Sequence, residues 1–576
     1  MVNLHVSYWQ TNLMKVTNRF DGIALLLVWS MLLLLTACGG TAVSDASSAP
    51  AETIAETSAP SEAPKPEENQ EPESTVMSTE DTAPEPELEY TLPIHDDSIS
   101  ISYWISWNPD LSAVCAPGVA SVYKALEERT GIHVDYRESS PFNQGQDFDL
   151  MIASGDYVDI FPASSNLSPD QAFEQDICID LTGYMDTYLR NYHAILKSND
   201  EYMHTAVNDE GQILSVNSMY DENVAVNSGL VIRKDWLDQL GLDVPETYDD
   251  YHKVLTTFKN QLGANAAMHM GSSGVLTGNY FCSGFGINGY VSMMDAPFYQ
   301  VDGEVKFGPI QPEFKDYLTM MNQWYSEGLI YKNFYSVADP MTAPSDQITT
   351  DNMGLWVCEL ARMHEFDSMF DSSSTFEIWP VQDAVQNHGD VNKIRVATEM
   401  ATSGGEVIAS TCAYPEIAAL WLDYRYTDEG RLLLNYGVEG EGFEYVDGEP
   451  QLTELITGAE NINFGLAMYA TVFLGYNEPE RMWSTYSDAQ MASLDIWKMG
   501  DNEYGYSANA IMNTQEQETF SRVYSDINTY LLAEIVRFVI GDRSLDEFDD
   551  YVADVEAMGI DACIECKQAA LDRYLD

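Results

Sequence analysis

Positive charge is scarce in this chain: 27 Lys and Arg stand against 92 Asp and Glu among 576 residues, for a formal net charge of -65. A nucleic-acid footprint or a basic membrane-binding face needs clustered cations, so neither partner is expected. The acid surplus itself fits solubility better than steering, and neutral ligands are indifferent to it. Cysteine is sparse as well. The chain has eight, and those after Cys38 are scattered at Cys115, Cys178, Cys282, Cys358, Cys412, Cys563 and Cys566, an odd and uneven set that does not read as a disulfide framework. Catalytic signatures are missing: there is no HExxH, no GxSxG and no P-loop. No cofactor is expected, and with no DxDxDG loop in the chain a structural calcium stays an open alternative without support. The one GxGxxG, from Gly284 to Gly289, opens no clear helix and follows no convincing strand, and it reads as a flexible loop. The lone Cys563-Ile564-Glu565-Cys566 lacks the second pair that zinc would need.

Long hydrophobic runs are absent too. The apolar run at 23–34 is shorter than the roughly 20 residues that span a bilayer, and it ends in small residues followed by a polar stretch. Leu35-Thr36-Ala37-Cys38-Gly39 resembles the lipobox of a bacterial lipoprotein signal. That resemblance implies cleavage before Cys38 and a diacylglyceryl group on its sulfur, and two acyl chains anchor where one is marginal. Residues 1–37 are then a signal, with Met14-Lys15 and Arg19 supplying a charged start that residues 1–13 lack. Residues 38–90 are rich in Ala, Ser, Thr, Pro and Glu and nearly free of aromatics. They bury too little apolar surface to offset ordering entropy, so an extended acidic tether is expected.

The remainder is too long for one core, so at least two lobes are expected. Residues 99–107 alternate like a first strand, 116–130 reads as a helix with Gly131 past its end, and 132–136 and 158–161 are further strands. A second set starts near Leu230 and contains a helix with Thr247 as N-cap. Strands separated by helices make the fold class α/β.

Several stretches resemble the extracellular solute-binding proteins of ABC importers, in the large lipoprotein branch linked to carbohydrate uptake. They are LMIASGDYVDIF at 150–161, RKDWLDQLGLDVPETYDDYHKVLTTF at 233–258, WYSEGLIYKNF at 324–334, WLDYRYTDEGRLLLNYGVEGEG at 421–442 and the closing AMGIDACIECKQAALDRYLD. The resemblance implies a type II two-lobe fold, with residues 91–226 and 405–461 in the first lobe and 227–404 and 462–576 in the second. It also implies crossings near 212–231 and 402–411, a hinge, a ligand cleft, and a permease as partner of a monomer tethered to the outer face of the membrane. Binding without turnover follows from the same resemblance.

A sugar site needs aromatic plates and short polar side chains. Trp107 and Asn108 lie at the end of the first strand, where α/β sheets bind ligands. Tyr103 and Trp104 precede them on opposite faces of that strand. By resemblance, Ser164 and Ser165 follow the third strand and Asn223 and Asn227 lie on the first crossing. The second lobe would add Tyr280, Phe285, Trp356, Glu359, Trp379 and Trp483. Core packing explains each aromatic about as well. Tyr220, Tyr436 and Glu439 would sit at the hinge or rim, although Gly437 and Gly440 also fit an ordinary turn there. Two alternatives stay open: the same fold taking a peptide, polyamine or modified sugar, and a surface glycoside hydrolase.

Overall fold

The computed structural model describes residues 91–575 apart from 96–97, 106–119, 140–143, 164–166, 221–225, 270–279, 290–296, 337–344, 371–373, 395–404, 460–461, 472–473 and 508–509. In chain order the strands are β1 (Ser100–Ile105), β2 (His133–Glu138), β3 (Ile160–Pro162), β4 (Met219–Tyr220), β5 (Ser228–Arg233), β6 (Ala266–His269) and β7 (Phe298–Val301). They continue with β8 (Glu304–Phe307), β9 (Met353–Glu359), β10 (Ile378–Val381), β11 (Glu406–Ile408), β12 (Phe443–Val446), β13 (Glu449–Leu452) and β14 (Tyr476–Asn477).

One sheet has the order β11-β3-β1-β2, with β1 parallel to both neighbours and β11 antiparallel to β3. Central parallel strands are buried on both faces. Tyr103 accordingly packs into a cluster with Trp421, whereas Trp104 faces the other way onto Phe148 and Phe161. The helix Ser121–Thr130 between β1 and β2 stops at Gly131, which adopts φ 64°, a backbone that costs glycine little.

A second sheet has the order β10-β5-β9-β6, in which β5 runs against both β10 and β9 while β6 is parallel to β9. Its two faces carry separate cores. Leu355 and Val357 enter one with the long helix Thr514–Ile540, and Trp356 and Cys358 enter the other with Phe366 and Trp497. Thr247 and Asp250 exchange capping bonds at the start of the helix Tyr248–Thr257, which fixes where that helix begins. Each lobe is thus a sheet between helical layers, the arrangement that βαβ connections favour.

The chain does not leave the first lobe where the sequence suggested. The helix Ile462–Tyr469, expected in the second lobe, places Ala467 in the first-lobe core beside Leu126 and Leu433. β14 then pairs with β4. Only past it does the chain reach the second lobe, where the helix Asp488–Ile496 packs along β10.

Candidate functional site

Both sheets present strand ends to one region. β1 ends at Ile105, whose carbonyl accepts Ser139 N at 3.2 Å, and β3 ends at Pro162, after which Ala163 N donates to Gly405 O at 2.9 Å. In the second sheet β6, β9 and β10 finish at the edge where β5 begins, since Ser228 is opposite Glu359 and Leu230 is opposite Val381. Ligands in open α/β sheets bind beyond such carboxyl ends.

Among the described residues, three connections between the lobes can be followed. In the first two, Val216 and Glu406 exchange backbone hydrogen bonds at 2.9 Å each. The Glu406 carboxylate accepts hydrogen bonds from Arg425 and the Tyr103 hydroxyl, so this crossing is tied to the first-lobe core. Arg425 is wholly buried, and its guanidinium lies 4.2 Å from the Trp421 ring centroid. The third crossing starts at β14, where Asn477 Nδ2 donates to Met219 O at 3.2 Å. It continues through residues 479–485 with Arg481, whose Nη1 donates to Asn435 O at 2.9 Å and Thr471 O at 3.0 Å. Burial brings the Arg481 guanidinium down to about 10, so it stays charged at neutral pH. This crossing escaped the sequence reading; RMWSTY was its one signal.

Trp483 sits on that third crossing, half-buried, and its buried indole N–H has no acceptor among the described residues. An unpaired donor of this kind is costly unless a ligand or water meets it. Trp379 is half-buried and lines a cavity of about 360 Å³ in the second lobe with Phe370, Phe376, Glu377, Ser487 and Asp488. The Phe370 and Phe376 rings stack at 3.9 Å. Asn227 is exposed and its carbonyl accepts Leu360 N at 2.8 Å, so it lies beside the half-buried Glu359 at the sheet edge. Tyr220 is half-buried, with its carbonyl accepting the Tyr202 hydroxyl at 2.6 Å.

Other expected residues lie elsewhere. Trp356 is wholly buried with Phe366 at 5.4 Å, and Tyr280 is buried with its carbonyl accepting Ala384 N, so both are core residues that offer no surface to a ligand. Phe285 is half-buried against Tyr248 at 4.9 Å. Tyr436 is buried at a helix end, where desolvation raises its hydroxyl to about 12, and Glu439 is exposed in the following turn. Trp107, Asn108, Ser164, Ser165, Asn223 and Cys38 lie outside the described residues.

The segment Gly284 to Gly289 has a packing explanation. A Cβ at Gly284 would come within 2.3 Å of Ala384 O, and a short 3-10 turn rather than a longer helix spans Ser283–Phe285. Cys563 and Cys566 are free on the last helix, and burial raises the Cys563 thiol to about 12, a packing role with no thiolate character. Among the described residues no group of three or more His, Cys, Asp or Glu is placed to hold a metal ion. Among them, too, no helix is long and apolar enough to cross a membrane.

Two α/β sheets joined by crossing strands, with strand ends facing the junction, define a type II solute-binding architecture of two lobes. The family model for bacterial extracellular solute-binding proteins matches residues 117–349. A solved human-milk-oligosaccharide-binding ABC-transporter-associated solute-binding protein from Bifidobacterium longum infantis superposes with a TM-score of 0.70, covering 83% of this chain and 99% of its own at 17% identity. The chain is 22% identical over 501 residues to the fructooligosaccharide ABC transporter substrate-binding protein FusA of Streptococcus pneumoniae, spanning 80% of this chain and 88% of FusA. It is 24% identical over 449 residues to the lipoprotein LipO of Bacillus subtilis, spanning 74% of this chain and 84% of LipO. Over residues 117–349 the chain is thus similar to the bacterial extracellular solute-binding proteins, and it shares their two-lobe fold.

Proposed function

We propose that this protein captures a neutral glycan between its lobes and delivers it unmodified to an ABC transporter permease. The observation that carries this reading is the half-buried Trp483 on the third crossing, with an indole N–H that has no acceptor among the described residues. Sugars offer hydroxyls to such donors and C–H faces to such rings. Asn227 and Glu359 at the second-sheet edge and Tyr220 on β4 supply further polar groups to the proposed site, and Trp379 lines the second-lobe cavity. Trp107, Asn108, Ser164, Ser165 and Asn223 complete the proposed site from the sequence alone. The carbohydrate ligands named for FusA and for the Bifidobacterium protein support the same ligand class.

Closure would bury the ligand between both lobes, so the closed form is favoured only when ligand bridges them. Function without catalysis accords with the family, whose members are solute-binding proteins. The lipobox-like stretch at Cys38 and the acidic segment after it support a working site on the outer face of the membrane with lipid as the anchor, and the protein would act there as a monomer. Isothermal titration of the wild type and Trp483→Ala with a fructo-oligosaccharide and a human-milk oligosaccharide tests the site. Saturable binding that is weakened at least about five-fold in the variant supports it, and binding unchanged by the variant removes Trp483 from the cleft.

A further inference from the structure

The C-terminal helix Ile560–Leu575 belongs to the second lobe. Cys563 and Leu571 lie in that core, and Gln568 Oε1 accepts Val305 N at 2.8 Å. Near its end, the two terminal nitrogens of Arg573 hold the Glu516 carboxylate at 2.8 and 2.7 Å, and Nη2 also donates to Ile511 O at 3.1 Å. These contacts fix the guanidinium within the second lobe. Its remaining nitrogen, Nε, lies 2.7 Å from Asp209 Oδ2, which belongs to the first lobe. The adjacent Tyr574 ring meets His204 edge-on at 5.1 Å, also in the first lobe.

Both first-lobe partners are held firmly. His204 is on the helix Asp200–Ala206, whose Tyr202 and Ala206 are buried in the first-lobe core. Asp209 sits in a turn organised by Asn208, whose Oδ1 accepts Gln212 N at 2.8 Å and whose Nδ2 donates to Asp170 at 2.7 Å. Two rigid surfaces therefore meet through one shared arginine and one aromatic pair.

We propose that the last turn of this helix is a clasp between the lobes, with Arg573 the positioning residue that sets their angle. Arg573 makes two aligned hydrogen bonds to Glu516 in its own lobe and, to the other lobe, an ion pair at Nε without hydrogen-bond alignment, so the contact that yields when the lobes move is the one to Asp209. Asp209 and Arg573 are 42% and 32% exposed, which screens the pair and limits its effect to a few-fold shift in a two-state equilibrium. Such a shift is enough to matter for a hinge whose states lie close in free energy. Loss of Arg573 does more than remove an attraction. It leaves the carboxylates of Asp209 and Glu516 facing one another across the junction, in a chain with few cations to spare.

The test reads interlobe distance without ligand. Fluorophores are placed through bio-orthogonal amino acids at the exposed positions Leu455 in the first lobe and Met499 in the second, in the full chain, which leaves native cysteines untouched. Single-molecule transfer efficiencies of Asp209→Asn should show a few-fold redistribution away from the wild-type arrangement, and Arg573→Gln should go further in the same direction. Added salt should move the wild type toward Asp209→Asn and leave that variant nearly unmoved, while Asp209→Glu should keep the wild-type distribution. Superimposable distributions for wild type and Asp209→Asn overturn the clasp, as does an Asp209→Glu that behaves like Asp209→Asn. Should Arg573→Gln fail to fold, Asp209→Asn on its exposed turn still decides.

Discussion

Val216 and Glu406 face each other across two chain crossings and exchange both of their backbone hydrogen bonds. Their neighbour Gly405 lets the strands approach this closely. A Cβ there would lie 2.4 Å from Val216 O and 2.6 Å from Asn217 Cα, both backbone atoms that cannot swing aside. Gly405→Ala should therefore cost about 1–3 kcal/mol, the range for forced overpacking. Urea denaturation checks this, and an unchanged midpoint would show that the crossing has slack.

The Glu406 carboxylate draws on Arg425, which is wholly buried, so breaking this pair from one side leaves an uncompensated charge. Arg425→Met should lose ~3–5 kcal/mol of stability, the range for removing one partner of a buried pair. Arg425→Met combined with Glu406→Gln should recover part of that loss. A double variant less stable than Arg425→Met alone would refute the charge argument.

His269 ends β6 wholly buried, with neither ring nitrogen hydrogen-bonded among the described residues, and burial lowers it from 6.5 to about 4. The folded state thus binds fewer protons than the unfolded one between those values. Stability is unaffected at pH 7, begins to fall as pH drops below 6.5, and has lost ~3 kcal/mol by about pH 4. His269→Leu should flatten this acid limb and raise stability at neutral pH, because it replaces an unpaired polar ring by an apolar group. Thermal melts at pH 4.5 and 7 measure both; an acid limb as steep as the wild type's would assign the effect to other groups.

Trp483→Ala should weaken glycan binding by at least ~1 kcal/mol, or about five-fold, on the scale of aromatic contacts. The same loss is expected for Trp107→Ala. Circular dichroism of each variant should match the wild type, since Trp483 is only half-buried.

Cys38→Ala should release the protein from membranes into the medium, because the proposed anchor is the lipid on that sulfur. Fractionation of cells expressing the variant tests it, and retention in the membrane fraction would contradict the anchor.

Local rules made much of the α/β pattern readable. The Thr247 cap, the Gly131 and Gly241 helix stops, and the opposite faces of Tyr103 and Trp104 all follow from turn chemistry and strand alternation. Long-range placement was less legible. Nothing in the helix Ile462–Tyr469 says which lobe it joins, because its apolar face suits either core, and the third crossing has only two residues of pairing in β14. The aromatics divided for the same reason. Trp356 and Trp483 look alike in sequence, yet one lies mid-strand in a sheet covered on both faces and the other on a connecting segment. The Arg573 contact to Asp209 joins residues far apart in the chain, and no local pattern marks it.

Thermal shift of the protein against neutral oligosaccharides, monosaccharides, short peptides and polyamines, with the added compound recovered afterwards, tests the central claim most directly. A specific ligand raises the melting temperature by mass action. Glycan capture predicts a rise with a neutral oligosaccharide that is recovered intact. A rise with peptides or polyamines alone, or a glycan recovered in pieces, would contradict it.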